Sequence, residues 1–272
     1  MYTHPSPRRP TLLLALAASV TLGLGLTVAS LPDVSRLRTA APDTTAYMQL
    51  RLEQARASGH RLSLRHRPVP LDRISDRLRR AVRVAEDAAF YGHPGIDVHE
   101  LKNALMEAWR KKRMPRGAST ITQQLARNLY LSPERTLTRK AREAAIALRM
   151  ETELSKQRIL ELYLNAIELG TGVFGVQAAS IHYFGRTADE LSRRQAAMLA
   201  ATIPSPRTDN PSTDTREFRW RTELVHRRAF GESASADSGS GGRPSALPPD
   251  SGALPAGDSV DIGAAENISG SP

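Results

Sequence analysis

Between residues 74 and 204 the chain is punctuated by helix starts and stops and by little else. Ile74, Leu78, Val82, Ala85 and Ala89 recur on one helical face. Asp97 and Glu100 have capping-box spacing, with Val98, Leu101, Leu105 and Trp109 following on one side. Ser119 is placed to cap a helix through about Tyr130. A longer helix is expected from about Arg135 to Glu153, with Leu137, Ala141, Ala144, Ala145 and Leu148 inward. Ser155 caps the next, which carries Ile159, Leu160, Tyr163 and Leu164 and stops near Gly170. Thr187–Glu190 and Ser192–Gln195 read as successive capping boxes, the second opening an Ala-rich helix that ends before Pro204. The best strand signal is Arg61–Val69, expected in a small hairpin. The fold class is mainly α.

The ends of the chain bound its surroundings. Thr11–Leu31 carries no charge and would span roughly 31 Å as a helix, about one hydrocarbon core. Arg8 and Arg9 precede it, so residues 1–10 should stay cytoplasmic and the remainder should be exported. Retention of 11–31 as a membrane anchor competes with cleavage as a signal peptide near Val28-Ala29-Ser30. Residues 32–44 read as a linker, 45–230 as one folded unit, and 231–272 as a disordered tail, rich in Gly, Ser, Ala, Pro and Asp and without aromatics. That tail has a net charge of −5 against +10 for the whole chain, which leaves +15 on residues 1–230. Such a body should seek polyanions, and outside the cytosol these are anionic lipid or phosphate-bearing substrate rather than nucleic acid. The chain has no cysteine, which excludes disulfides, thiolate nucleophiles and cysteine metal sites.

Four segments carry candidate chemistry. Glu86 stands at the rim of an apolar stripe near a helix end, where partial desolvation would raise its pKa and suit it to act as a general base. On spacing alone, an ordinary surface glutamate is the commoner case. Arg116 to Asn128 places Ser119, Thr120, Gln123 and Gln124 at a helix start, where hydroxyls and free N–H groups favour anions. Arg127 follows two turns on, and Arg135 opens the next helix; together they could hold a pyrophosphate. A capped helix with a solvated polar face is the equal alternative. Lys140 and Glu143 share a helix flank, which in isolation reads as a surface ion pair. In Lys156 to Asn165 the apolar residues read as core and Lys156 and Arg158 as solvated, leaving Asn165 as the residue of interest.

In this order and spacing the segments resemble the motifs of glycosyltransferase family 51, the peptidoglycan glycosyltransferases. Glu86-Asp87-x-x-Phe90-x-x-His93-x-Gly95 is similar to the first motif, Gly117-x-Ser119-Thr120-Ile121-Thr122-Gln123-Gln124 to the second, Arg139-Lys140-x-x-Glu143 to the third and Arg158-Ile159-Leu160-Glu161-x-Tyr163-Leu164-Asn165 to the fourth. The resemblance runs from about Thr45 to Arg228, and the segments around Thr44–Met48 and Gly170–Ala179 are similar to the monofunctional, biosynthetic branch. Two departures are visible. Arg127 stands where many members carry Lys, and the fifth motif, Arg219 to Ala229, has His226 and Ala229 where apolar residues are usual.

The resemblance implies a lysozyme-like helical domain with a small mobile jaw. It implies Glu86 as the base for the acceptor's 4-hydroxyl and Glu143 as a second catalytic acid. Lys140, Arg127 and Arg135 would surround the donor pyrophosphate. Ser119, Thr120, Gln123, Gln124, Asn128 and Arg139 would complete the substrate cleft. The implied substrates are lipid II and a lipid-linked glycan chain, at the outer face of the cytoplasmic membrane beside cell-division or wall-synthesis proteins. The basic loop Arg110–Arg116 would face lipid headgroups. No cofactor is required, with room for a divalent cation, Mg2+ or Mn2+. The competing enzyme is a lytic transglycosylase or muramidase on the same fold, which needs no pyrophosphate cradle. A precursor-binding scaffold without turnover is the non-enzymatic alternative. A nucleic-acid binder has the charge but few aromatics for stacking.

Overall fold

The computed structural model describes residues 31–99, 119–134 and 136–231, together with residues 102, 103, 106 and 110. The expected anchor (apart from Leu31), nearly all of the basic loop, Trp109, Arg135 and the tail beyond Gly231 lie outside the described residues. Among the described residues no helix is long and apolar enough to cross a membrane.

The described chain is mainly helical, with α1 (Ala46–Ala57), α2 (Asp76–Glu86), α3 (Ile121–Tyr130), α4 (Leu137–Glu153), α5 (Lys156–Ala166), α6 (Val176–Phe184), α7 (Arg193–Thr202) and α8 (Arg216–Phe230). Side-chain caps start most of them, because the first N–H groups of a helix have no partner within it. Ser75, Ser155 and Thr215 each accept a backbone N–H in this way, and Ser192 forms a full capping box with Gln195. The α3 cap is Thr120, one residue later than the expected Ser119, again as a capping box with Gln123. Thr187–Glu190 makes half of its expected box, Thr187 N–H donating to Glu190, but closes only a turn.

The stripe from Ile74 to Ala89 is helical only as far as Glu86. Ile74, Leu78 and Val82 enter the core, whereas Ala89 is exposed beyond the helix end. In α4 the inward face differs from the expected one. Glu143, Ile146, Ala147 and Met150 are buried, while Leu137 is 89% exposed and Leu148 and Ala141 face outward. The true face has the same helical spacing, rotated, and it carries the acid. The segment read as a linker contributes to the core: Ser35–Arg38 forms a 3-10 turn that buries Val34 and Leu37.

A three-stranded sheet of order β1-β3-β2 comprises β1 (Arg65–His66), β2 (Glu168–Gly170) and β3 (Val173–Phe174). The hairpin is β2–β3, and β1 joins it in parallel, so Arg61–Val69 makes an edge strand rather than the expected hairpin. Gly175 leaves β3 with φ +78, and a Cβ there would lie 2.7 Å from the Asn165 carbonyl oxygen. Only glycine lets α6 start this close to the end of α5.

Helices α2, α7 and α8 pack against one another, and α3 packs against α4 and α5. α3 is buried on nearly every side, including Thr122, Gln123, Gln124 and Asn128. Buried polar groups need partners, and several of those partners form the candidate site. The departures in the fifth motif are absorbed by packing: Val225 and Ala229 reach the core and His226 lies edge-on to Phe230, 5.5 Å between centroids.

Candidate active site

Glu86 is the last residue of α2 and keeps part of its surface open. Its Oε2 accepts from Gln124 Nε2 at 2.8 Å. The orientation of that amide is set from behind. The hydroxyl of Tyr163, fully buried on α5, donates to Gln124 Oε1 at 2.9 Å. Burial pushes the Tyr163 pKa well above its ordinary value, so the hydroxyl stays a donor and the amide must present its NH2 to Glu86. Burial also raises the Glu86 pKa, against the hydrogen bond from Gln124 and the charges of Arg127 and Arg221. The acid is thus held by a neutral donor, in reach of two cations, with one side accessible.

The second acid is built differently. Glu143 is 0% exposed, and its two oxygens accept from Arg139 and Lys140. Lys140 Nζ also donates to Ser119 Oγ at 2.8 Å, and the Ser119 carbonyl accepts from Gln124 Nε2 at 3.3 Å. A continuous path of hydrogen bonds therefore links Glu86 to Glu143 through Gln124, Ser119 and Lys140. The Nε–H groups of Arg127 and Arg139 are buried with no hydrogen-bond partner among the described residues. Guanidinium donors left without a partner favour an anion that would accept from them.

The rest of the first motif is architectural. Asp87 Oδ1 accepts from His93 Nε2 at 2.9 Å, and Oδ2 accepts from Ile121 N–H, the first of α3, at 3.0 Å. Adjacent carboxylates thus grip successive turns of α3, Asp87 at its start and Glu86 at Gln124. Thr120 Oγ1 donates to the Gly95 carbonyl at 2.6 Å. Gly95 has φ +88, and a Cβ there would strike Glu151, 2.8 Å away. Lys156 joins Glu151 at 2.8 Å and the His93 carbonyl at 2.7 Å, and lies 4.4 Å from the Phe90 ring centroid.

The family described as Transglycosylase matches residues 55–230. The chain belongs to the transglycosylase family. It is 47% identical over 186 residues to the biosynthetic peptidoglycan transglycosylase of Thiobacillus denitrificans, covering 68% of this chain and 80% of that protein. It is 45% identical over 218 residues to the protein of the same name from Azoarcus sp., covering 80% and 94%. The Neisseria meningitidis protein of that name is 42% identical over 196 residues, covering 72% and 84%.

In this transglycosylase the structure brings Glu86, Ser119, Gln124, Arg139, Lys140 and Glu143 into one hydrogen-bonded set, with Arg127 beside it. Thr120 and Gln123 sit next to the set but are committed to the capping box that starts α3. Asn128 is buried one turn beyond Gln124 on the same helix. Arg135 lies outside the described residues. Asn165 makes no hydrogen bond to this set among the described residues. Its side chain clasps Val69 through both backbone groups, at 2.8 and 2.9 Å, and tethers the β1 segment. Lys156 and Arg158, expected to be solvated, are tethers as well, Arg158 Nε reaching the Leu37 carbonyl at 2.7 Å. Tyr163 and Arg221 are neighbours of the Glu86 site that sequence reasoning missed. A tyrosine within an aliphatic helix core was a signal that its hydroxyl must find a partner. Arg221, held by Asp209 at 2.7 Å, had no signal beyond its helix.

Proposed function

We propose that this transglycosylase is a peptidoglycan glycosyltransferase that joins lipid II units into β-1,4 glycan and releases undecaprenyl pyrophosphate. In this reading Glu86 takes the proton of the acceptor's 4-hydroxyl as that oxygen bonds to the donor's anomeric carbon. The bond from that carbon to the pyrophosphate breaks, and inversion gives the β linkage. The leaving group departs as a stable anion, so it needs cations rather than a strong general acid. Lys140, Arg127 and Arg139 supply them, with Arg135 assigned to the same cradle. Glu143 acts as the fixed counter-charge that holds Lys140 and Arg139 in place.

The observation that carries the reading is the pairing of a partly open, burial-raised carboxyl with cations linked to it through Gln124 and Ser119. A lytic enzyme would need the acid but not the cations. We assign residues 11–31 as the anchor in the bacterial cytoplasmic membrane, the catalytic domain outside it, and the body as a lysozyme-like fold with a smaller jaw. No cofactor enters the scheme, and an Mg2+ or Mn2+ ion would act chiefly on the donor pyrophosphate. Wall-synthesis or cell-division proteins are the expected partners, and nucleic acid is not.

The test is polymerisation of lipid II by the purified full chain, followed by glycan-length analysis. The wild type should make long strands, and Glu86→Gln should lose at least about a hundredfold in rate. Shortening of finished strands without polymerisation would establish the lytic reading, and precursor binding without any turnover would establish the scaffold reading.

A further inference from the structure

A basic pocket shares none of its lining residues with the candidate active site. Tyr163, which faces the site, and Asn165 stand about 200° apart around α5. The Asn165 carbonyl accepts from His66 Nε2 of β1 at 3.0 Å. Beside His66, Arg65 and Arg67 are exposed, two residues apart and so on one side of an extended segment. They line a cavity of about 430 Å³ together with Leu64 of the same segment and Ile181 and His182 of α6.

The charges in this cavity are unbalanced. Arg65 Nη1 lies 2.6 Å from His182 Nδ1. A guanidinium has no acceptor, so it donates, and the ring is the neutral tautomer with its proton on Nε2. Among the described residues no carboxylate lines the cavity. Arginines elsewhere in the fold, such as Arg51, Arg158 and Arg221, meet a carboxylate; Arg65 and Arg67 meet none among the described residues. Asp43 reaches His66 by charge but is not part of the lining.

The strand supplies a second observation. Among the described residues β1 is paired only with β3, and its other edge carries no strand. Charged edge residues reject neutral strands. Two arginines would accept one that carries the opposite charge, and Leu64 and Ile181 offer apolar contact between the charges. The cavity is also larger than a lone oxyanion needs.

We propose that this pocket docks an extended acidic segment of a partner protein along β1, its carboxylates on Arg65, Arg67 and His182. Binding should draw in a proton. Burial and the charge of Arg65 now hold the His182 pKa below its ordinary value. Its other neighbours, His66, Arg67 and the Tyr183 ring 4.6 Å away, supply no negative charge. A carboxylate brought to the ring would raise the pKa, so affinity should climb as pH falls through the histidine range.

The full chain in detergent, followed by imidazole ¹H–¹⁵N spectra, tests this with three probes: an alternating glutamate–valine octapeptide, its lysine–valine counterpart and inorganic phosphate. The acidic peptide should shift the His182 resonances and raise its pKa. Arg65→Ala and Arg67→Ala should each weaken binding about tenfold, whereas Arg80→Ala, an exposed change on α2, should not. Lipid II polymerisation should be the same in all three variants. No His182 response to the acidic peptide, or an equal response to the lysine peptide, would overturn the proposal. A response to phosphate tighter than to the peptide would replace it with a simple oxyanion site.

Discussion

Two carboxylates lie at the ends of one hydrogen-bonded path, and their surroundings have little in common. Glu86 has a neutral amide on one oxygen, some open surface and a pKa raised by burial. Glu143 has no exposed surface and a cation on each oxygen. An acid with no exposed surface and both oxygens occupied is not placed to meet a substrate hydroxyl and take its proton. An acid held by one neutral donor, in a place that penalises its charge, is poised to do so. In the proposed mechanism this contrast separates their roles, with Glu86 as the base and Glu143 as the anchor of the cations.

The sharpest way to break this contrast is at the anchor. Glu143→Gln would leave Arg139 and Lys140 facing each other without their counter-charge. It should lower stability by about 3 kcal/mol, toward the lower end for a broken buried pair, because Lys140 keeps contact with water. Denaturant unfolding measures this, and an unchanged midpoint would mean that Glu143 is not the structural partner of the two cations.

A smaller effect is expected behind the base. Tyr163→Phe keeps the ring but frees Gln124 to turn its oxygen toward Glu86. The rate of polymerisation should fall about tenfold, or ~1.4 kcal/mol of barrier, with substrate affinity little changed. An unaltered rate would show that the amide is oriented by something else.

The smallest effect is a gain. Because burial raises the folded-state pKa of Glu86, its charge costs stability at every pH above that raised value. Below about pH 4 the carboxyl is protonated in folded and unfolded chains alike and costs nothing. Glu86→Gln, which the proposed mechanism expects to be inactive, should therefore be more stable than wild type at neutral pH by on the order of 1 kcal/mol. The difference should shrink as pH falls and vanish in acid. Thermal melts across pH decide it, and a variant less stable at neutral pH would contradict the raised pKa.

Much of the secondary structure was legible because caps are local. Ser155 and Ser192 with Gln195 cap as their spacing predicts, since a hydroxyl three residues from a free N–H needs no tertiary contact. The position of Glu86 at a helix end and the shared flank of Lys140 and Glu143 follow from the same local periodicity. The inward face of α4 did not follow. Leu137 and Leu148 share a plausible apolar stripe, yet the face that meets α3 carries Glu143, Ile146 and Met150. Periodicity reports which residues share a side of a helix, and only the neighbouring surface decides which side is covered.

The sequence by itself therefore determined the helices, most of their ends, the family and the residue types gathered for the site. The tertiary structure alone decided which carboxylate is saturated and which is left open. It also turned Asp87, His93, Lys156 and Asn165 into tethers, and Tyr163 into the group that orients Gln124. The reason is that charge state, burial and hydrogen-bond direction depend on atoms from segments far apart in the chain. Tyr163 and Gln124 are 39 residues apart and Glu86 and Gln124 are 38 apart, and no local spacing records those meetings.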